Sequence, residues 1–509
     1  MSDPKTKKIG TVYLVGAGPG DPELVTLKAK KLIESADVLL YDFLAPQEVL
    51  DWASPNAEVI YVGKHGGDHT LPQETINSLL VEKAKAGKRV VRLKGGDPFI
   101  FGRGGEEAEV LVNAGVPFEM IPGISSAIAA PLYAGIPLTH RSNTSSIVLV
   151  TGHETPNKDC SAVPWNKIAS GGHTIVILMG MKHLRANIQC LLDGGIDPDT
   201  PVAIIRWGTR PDQLTITATV ATIADEADRT GIKAPAIIVI GDVVRHRERL
   251  KWFEVKPLFG KRILVTRTRE QANELSILLK EAGAFVYEVP TIEIVPTPDS
   301  AEVNAALDKL PDCDWVVLTS VNGVKLLVEA LRGRGGDVRD LAGKRIAAIG
   351  PATAKAIEDL ALKVDLVPKE YKAEGLAEAL GKKGIRGKRF LLARASAARD
   401  ALPKKIKEMG GETVIAPIYD ARAPAGSAQK IKELLNKGKV EIAVFTSSST
   451  VRNFMDMAHG ADTSKIRIAS IGPVTSQTAR ELGLEVHIQP AEYTIPALVN
   501  SIIEFYGES

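Results

Sequence analysis

Three glycine-rich loops each follow a short apolar run and each lead into a helical pattern. They are Gly16-Ala17-Gly18-Pro19-Gly20-Asp21 after residues 12–15, residues 94–105 (KGGDPFIFGRGG) after 90–93, and Pro122-Gly123-Ile124-Ser125-Ser126 after 117–121. Glycine lets bare backbone approach a ligand closely, and strand-to-helix junctions on a parallel sheet gather at its carboxyl edge, where α/β proteins bind ligands. That edge is the expected site. Asp42 closes the run 38–41 and Lys64 lies just past 59–62; as an isolated strand-end pair they read first as a turn-forming Asp and a solvated Lys.

The first loop invites comparison with a dinucleotide fold, because Asp42 lies about where that fold places its ribose-binding acid. Two details oppose this. Asp21 occupies the position of the third glycine, and Pro19 removes a backbone N–H from the turn that would hold a pyrophosphate. A carboxylate there repels phosphate, so the loops suit a cofactor without phosphates. His65, Asp68 and His69 could suggest a metal, but no cysteine joins them and two histidines rarely close a site. No metal is expected.

These loops must be carried by ordinary α/β elements. Residues 9–255 alternate apolar runs (12–15, 38–41, 59–62, 90–93, 147–150, 174–179, 202–205 and 236–240) with helical patterns such as 73–85, where Ile76, Leu79 and Leu80 share a face. That alternation predicts a mostly parallel sheet covered by helices. A chain of 509 residues should hold several domains at roughly 100–200 residues each. A 44% hydrophobic share and a net charge of +2 suggest neither a nucleic-acid partner nor a membrane surface. Cys160, Cys190 and Cys313 form no CxxC spacing or disulfide framework. The polar residues 1–8 and the lack of any apolar run of ~18 residues lead to a soluble, cytoplasmic expectation.

Seven stretches fall in a telling order: 12–21 (VYLVGAGPGD), 36–42 (ADVLLYD), 62–64 (VGK), 92–105 (RLKGGDPFIFGRGG), 122–127 (PGISSA), 134–141 (AGIPLTHR) and 151–153 (TGH). Through them residues 9–255 resemble the S-adenosylmethionine-dependent uroporphyrinogen-III C-methyltransferases. The resemblance implies a two-part α/β domain that transfers a methyl group from S-adenosyl-L-methionine to ring carbons of uroporphyrinogen III twice, through precorrin-1 to precorrin-2. It further implies cofactor contacts from Pro19, Gly95, Gly96, Asp97, Ile100, Ser125, Ser126, Met179 and Gly208, with Asp42 as proton acceptor and Lys64 as proton donor. Ser125 stands where the family commonly has threonine and keeps the hydroxyl; Ser126 stands where alanine is common. A homodimer formed through this domain is also implied.

The segment Lys256-Pro257-Leu258-Phe259-Gly260 is short and turn-like, and a new strand begins at Arg262. Residues 261–509 then repeat themselves. KRILVTR (261–267) recurs as KRFLLAR (388–394), an offset of 394 − 267 = 127, and VLTS (317–320) recurs as VFTS (444–447), again 127. RIAAIGP (345–351) recurs as RIASIGP (467–473), an offset of 473 − 351 = 122. Two similar α/β lobes follow. Each copy offers a strand ending in Arg (Arg267, Arg394), a Thr-Ser helix start (Thr319-Ser320, Thr446-Ser447) and an Ile-Gly-Pro helix start followed by a threonine (Thr353, Thr475). Helix starts with free N–H groups and hydroxyls bind carboxylates, and all of these also serve as ordinary caps.

Residues 261–509 resemble uroporphyrinogen-III synthases. That resemblance implies lobes of about 261–290 plus 420–509 and of 291–419, with chain crossings near 290–298 and 417–422. It implies closure of hydroxymethylbilane to uroporphyrinogen III with inversion of the last pyrrole, Tyr419 assisting loss of the hydroxyl group, and Thr353, Ser447 and Thr475 contacting substrate. The expected whole is a bifunctional enzyme of the porphyrin route shared by siroheme and cobalamin biosynthesis. Its partners are tetrapyrrole small molecules. Two alternatives stand beside it: a methyltransferase for a later cobalt-precorrin, and a second half that binds tetrapyrroles without turning them over.

Overall fold

A computed structural model describes residues 9–63, 71–153, 163–267, 269–297, 300–398 and 400–507. The chain divides into two compact units, Met1–Lys261 with Leu279–Phe285, and Arg262–Leu278 with Val286–Ser509.

The first unit holds two sheets. Strands β1 (Val12–Gly16), β2 (Val38–Tyr41), β3 (Glu58–Tyr61), β4 (Val90–Lys94) and β5 (Phe118–Ile121) form an all-parallel sheet in the order β3-β2-β4-β1-β5. The apolar runs become strands because helices cover them; Gln73–Lys85, for example, buries Ile76, Leu80 and Ala84. The order has a direct consequence for the site. The glycine-rich loops follow β4, β1 and β5, which are consecutive in the sheet, and Asp42 follows β2 on the other side of β4.

The second sheet departs from the parallel expectation. Strands β6 (Ile147–Thr151), β7 (Thr174–Leu178), β8 (Pro201–Arg206), β9 (Leu214–Thr219) and β10 (Ala236–Ile240) lie in the order β6-β7-β10-β8-β9. Only β6 and β7 are parallel; β10 runs antiparallel to β7 and β8, and β9 antiparallel to β8. The connection 207–213 is too short for the crossover that a parallel β8–β9 pair needs, so the chain folds straight back.

In the second unit ten strands follow: β11 (Arg262–Val265), β12 (Phe285–Glu288), β13 (Glu293–Pro296), β14 (Trp315–Leu318), β15 (Arg345–Ala348), β16 (Arg389–Ala395), β17 (Glu412–Arg422), β18 (Ile442–Phe445), β19 (Arg467–Ser470) and β20 (Val486–Ile488). They form two sheets, β12-β11-β18-β19-β20 and β13-β17-β16-β14-β15. The first repeated stretch of each copy supplies β11 and β16, the second β14 and β18, the third β15 and β19. The neighbours β11-β18-β19 and β16-β14-β15 therefore repeat the same order, each drawing its strands from both copies. Separate cores accompany the sheets, one around Phe445 and Phe454, the other around Trp315 and Phe390.

Candidate functional site

In the first unit the loops interlock through backbone. Gly18 and Gly96 form an antiparallel bridge, with Gly18 N donating to Gly96 O at 3.2 Å and Gly96 N to Gly18 O at 2.7 Å. A Cβ on Gly16 would lie 2.5 Å from Gly123 N, and one on Gly123 would lie 2.1 Å from Gly96 O. No residue but glycine fits where three main chains pass this closely. Asp97 fastens the arrangement: its Oδ1 accepts from Phe99 N at 2.8 Å and its Oδ2 from Gly123 N at 3.0 Å. Gly95 packs under Leu44, whose Cβ would stand 2.6 Å from an added methyl. Ser125 caps the helix Ser126–Tyr133 by accepting from Ala127 N at 3.3 Å.

The same cradle reaches the second sheet. Asp21 N donates to Thr209 Oγ1 at 3.1 Å, and Tyr133 donates its hydroxyl to Asp21 Oδ2 at 3.2 Å. Burial, followed by the Asp21 charge, raises the Tyr133 phenol well above its ordinary range. Gly208 sits where a Cβ would meet that of Ala130 at 2.4 Å. Phe43, next to Asp42, faces Trp207 with ring centroids 6.1 Å apart. Met179, Trp207 and Thr209 take positive φ of 55°, 51° and 73°, backbone strain of a kind that collects at functional sites.

The structure thus gathers Gly95, Gly96, Asp97, Ser125 and Ser126 about the loop that carries Pro19, and ties that loop to Thr209 beside Gly208. Ile100 and Met179 are exposed at 39% and 50% on the loops after β4 and β7. Asp42 stands at the end of β2, with its Oδ1 accepting from Leu44 N at 3.1 Å. Lys64, His65, Asp68, His69 and Cys160 lie outside the described residues. Among the described residues no cluster suits a metal ion.

Beneath this edge lie charges that the sequence pattern does not single out. Arg92 and Lys94 are each 4% exposed and Glu107 is fully buried. Glu107 Oε1 accepts from Lys94 Nζ at 2.9 Å, Arg92 Nε at 3.3 Å and Gln73 Nε2 at 3.1 Å. Burial lowers the Lys94 ammonium from its ordinary value, Arg92 adds to the effect and Glu107 opposes it. Two cations inside an apolar run (VVRLK) were the available signal.

In the second unit Tyr419 is 8% exposed on β17. The β16–β17 register slips after Arg394, so that Arg394 pairs with Pro417 and Ala395 with Tyr419; such an irregularity re-aims the side chain that follows it. The Tyr419 hydroxyl lies 3.0 Å from Ser320 Oγ, and Ser320 caps the helix Val321–Gly333 by accepting from Gly323 N at 2.9 Å. Ser447 caps Ser448–Ala458 in the same conformation, φ −160° and ψ 157° against −161° and 157° at Ser320. Thr353 and Thr475 are 4% and 5% exposed in the first turns of Pro351–Glu358 and Pro473–Glu481. Tyr419 and Thr353 belong to one sheet's edge, Ser447 and Thr475 to the other's. The sequence marks Ser320 as a helix start able to bind a carboxylate and gives no sign of its contact with Tyr419, which spans 99 residues of sequence.

Known proteins resemble the chain in both halves. Residues 11–224 match the family model for tetrapyrrole (corrin/porphyrin) methylases, and residues 273–500 the model for the uroporphyrinogen-III synthase HemD. A porphyrin biosynthesis protein HemD of Ruminiclostridium josui is 37% identical over 498 residues, covering 98% of both chains. An S-adenosyl-L-methionine-dependent uroporphyrinogen III methyltransferase of Methanosarcina barkeri is 58% identical over 235 residues, 46% of this chain and 92% of that one. A solved uroporphyrin-III C-methyltransferase of Thermus thermophilus, complexed with S-adenyl homocysteine, is 39% identical over 46% of this chain and 94% of its own, with a TM-score of 0.40. No helix among the described residues is long and apolar enough to cross a membrane. The chain belongs to the family of α/β enzymes that join a tetrapyrrole methylase to a uroporphyrinogen-III synthase.

Proposed function

We propose that residues 261–509 close hydroxymethylbilane to uroporphyrinogen III and that residues 9–255 methylate this product twice, through precorrin-1 to precorrin-2. The observation that carries the reading is the cradle of Gly16, Gly96 and Gly123, locked by Asp97, with Asp42 on the neighbouring strand end. S-adenosyl-L-methionine supplies an electrophilic methyl group when bound. The cradle fits such a molecule: it offers bare backbone, a carboxylate at Asp21 and no N–H at Pro19, which disfavours phosphate and suits a cationic donor. Pro19, Gly95, Gly96, Asp97, Ile100, Ser125, Ser126, Met179 and Gly208 hold it. Alkylation of a ring carbon leaves a cation that must lose a proton, and Asp42 accepts that proton; Lys64 is assigned the return of one.

In the synthase half Tyr419 lends a proton to the departing hydroxyl, which leaves as water while Ser320 orients the phenol. Thr353, Ser447 and Thr475 hold carboxylates of the flexible bilane, whose positioning for closure provides most of the acceleration. The decisive experiment feeds hydroxymethylbilane to the whole chain. Without the methyl donor the type III isomer should form; with it, a product two methyl groups heavier. Formation of only the type I isomer, while supplied uroporphyrinogen III is still methylated, would leave the second half a binding module.

A further inference from the structure

We infer that Arg92 is a positioning residue for the methylation, one that fixes the Asp42 carboxylate by joining it to the buried charges beneath the sheet edge; the inference rests on the reading of Asp42 as proton acceptor. Arg92 lies within β4, flanked by Leu14 of β1 and Leu40 of β2. Its guanidinium is spent in three directions. Nη1 donates to Leu93 O at 2.9 Å, Nε to Glu107 Oε1 at 3.3 Å, and Nη2 stands 3.6 Å from Asp42 Oδ2. The first two contacts fix the plane of the fork, and the third direction then points at Asp42. A guanidinium held in this way is a rigid support, which a lysine cannot reproduce.

The charge balance leads to the same assignment. Below the surface two cations, Arg92 and Lys94, share one carboxylate, and Glu107 already takes three donors on Oε1 while its buried Oε2 has no hydrogen-bond partner among the described residues. A buried charge left uncompensated is costly. Asp42, with its side chain 26% exposed, supplies the missing negative charge at the rim. Its two oxygens thereby face separate supports: Oδ1 accepts from the Leu44 amide of its own turn, and Oδ2 stands at ion-pair distance from Arg92. A carboxylate oriented from both sides meets substrate without first having to be ordered.

The test is a double-mutant cycle on the full chain with Asp42→Asn, Arg92→Gln and the pair. Uroporphyrinogen III and saturating S-adenosyl-L-methionine are supplied, and initial methyl transfer is followed beside calorimetric binding of S-adenosylhomocysteine. Arg92→Gln should lower kcat by about 10- to 100-fold, the scale of a catalytic group displaced by about 1 Å, with S-adenosylhomocysteine affinity unchanged. In the Asp42→Asn background it should add less than about threefold, because coupled residues are not additive. If Asp42→Asn methylates at the full rate, the reading of Asp42 fails and the inference with it. If Asp42→Asn is slow but Arg92→Gln multiplies that loss by its full factor, Asp42 stands and the inference falls. Should Arg92→Gln not fold, Arg92→Lys takes its place in the cycle, and equal losses of kcat and S-adenosylhomocysteine affinity there would overturn the positioning role.

Discussion

Gly123 and Gly105 look alike in sequence, each a glycine in a glycine-rich loop beside a helix start, yet the structure gives them opposite tolerances. A Cβ on Gly123 would lie 2.1 Å from Gly96 O and 2.8 Å from Gly16 Cα, and a Cβ on Gly105 would meet nothing within 4 Å. Relieving the Gly123 clash to the 3.0 Å below which a Cβ contact essentially never occurs requires the loops to part by about 0.9 Å. The obstacle is backbone, which cannot turn aside as a side chain does. Forced overpacking costs roughly 1–3 kcal/mol, and the Asp97–Gly123 bond at 3.0 Å involves a charged acceptor, so losing it adds about 1.5–3 kcal/mol. Gly123→Ala should therefore weaken S-adenosylhomocysteine binding at least tenfold, since ~1.4 kcal/mol corresponds to a factor of ten. It should also lower the melting temperature of the first unit by at least about 5 °C, at about 2–4 °C per kcal/mol. Gly105→Ala, within the helix Gly104–Asn113, should bind as the parent does and gain up to about 1 kcal/mol of stability. Calorimetric titration and thermal unfolding of both variants decide the matter. A Gly123→Ala protein that binds S-adenosylhomocysteine with parental affinity would refute the interlocked cradle.

The remaining predictions concern both halves. Gly208→Ala, which drives a methyl to 2.4 Å from Ala130 Cβ, should depress methylation while leaving turnover of hydroxymethylbilane unchanged in the same preparation. Tyr419→Phe should slow formation of uroporphyrinogen III by about 10- to 100-fold, within the range of a lost general acid, with bilane binding retained. Tyr133→Phe loses the bond to Asp21 and about 1 kcal/mol at neutral pH. It also changes the pH dependence: a phenol whose folded pKa is raised contributes stability in full below its unfolded value near 10 and loses it as pH rises beyond. Urea unfolding from pH 8 to 11 should show the parent losing stability at the alkaline end and Tyr133→Phe losing less.

What could be read from sequence was whatever the backbone itself demanded. Glycines at 16, 96 and 123 announce themselves because nothing else fits where three main chains touch, and Asp42 falls at the predicted end of 38–41 because an apolar run followed by a turn residue marks a strand end. Sheet direction was less legible. The stretch LTITAT, now β9, alternates threonine with apolar residues too weakly to stand out, and only the short connection before it makes β8 and β9 antiparallel. The buried charges stayed hidden for a different reason. Arg92 and Lys94 interrupt an apolar run as exposed residues of a half-buried strand would, whereas β4 is central and buried throughout. Their partner Glu107 lies 13 and 15 residues away on a helix, and periodicity carries no information about such a meeting. Ser320 and Tyr419 are likewise joined only by the fold.

The repeat of the second unit has a consequence for folding that sequence similarity between its copies conceals. Strand β11 comes from the first copy, yet its neighbour is β18 of the second, paired in parallel through Ile263–Ile442, Leu264–Ala443 and Val265–Val444. Strand β16 comes from the second copy and pairs with β14 of the first from Trp315–Phe390 to Leu318–Ala393. Both β11 and β16 are interior strands, so cutting between the copies would open the middle of each sheet instead of separating two sheets. Residues 261–387 alone would present β14 with an unpaired, apolar inner edge, and residues 388–509 alone would leave β18 in the same condition. Such edges aggregate or stay disordered. Neither piece should show a cooperative unfolding transition by circular dichroism, whereas the two mixed during refolding should recover one, because each sheet is completed only by strands from both. A cooperative transition in residues 388–509 alone would show that the exchanged pairing is dispensable, and that each copy carries a sufficient core of its own.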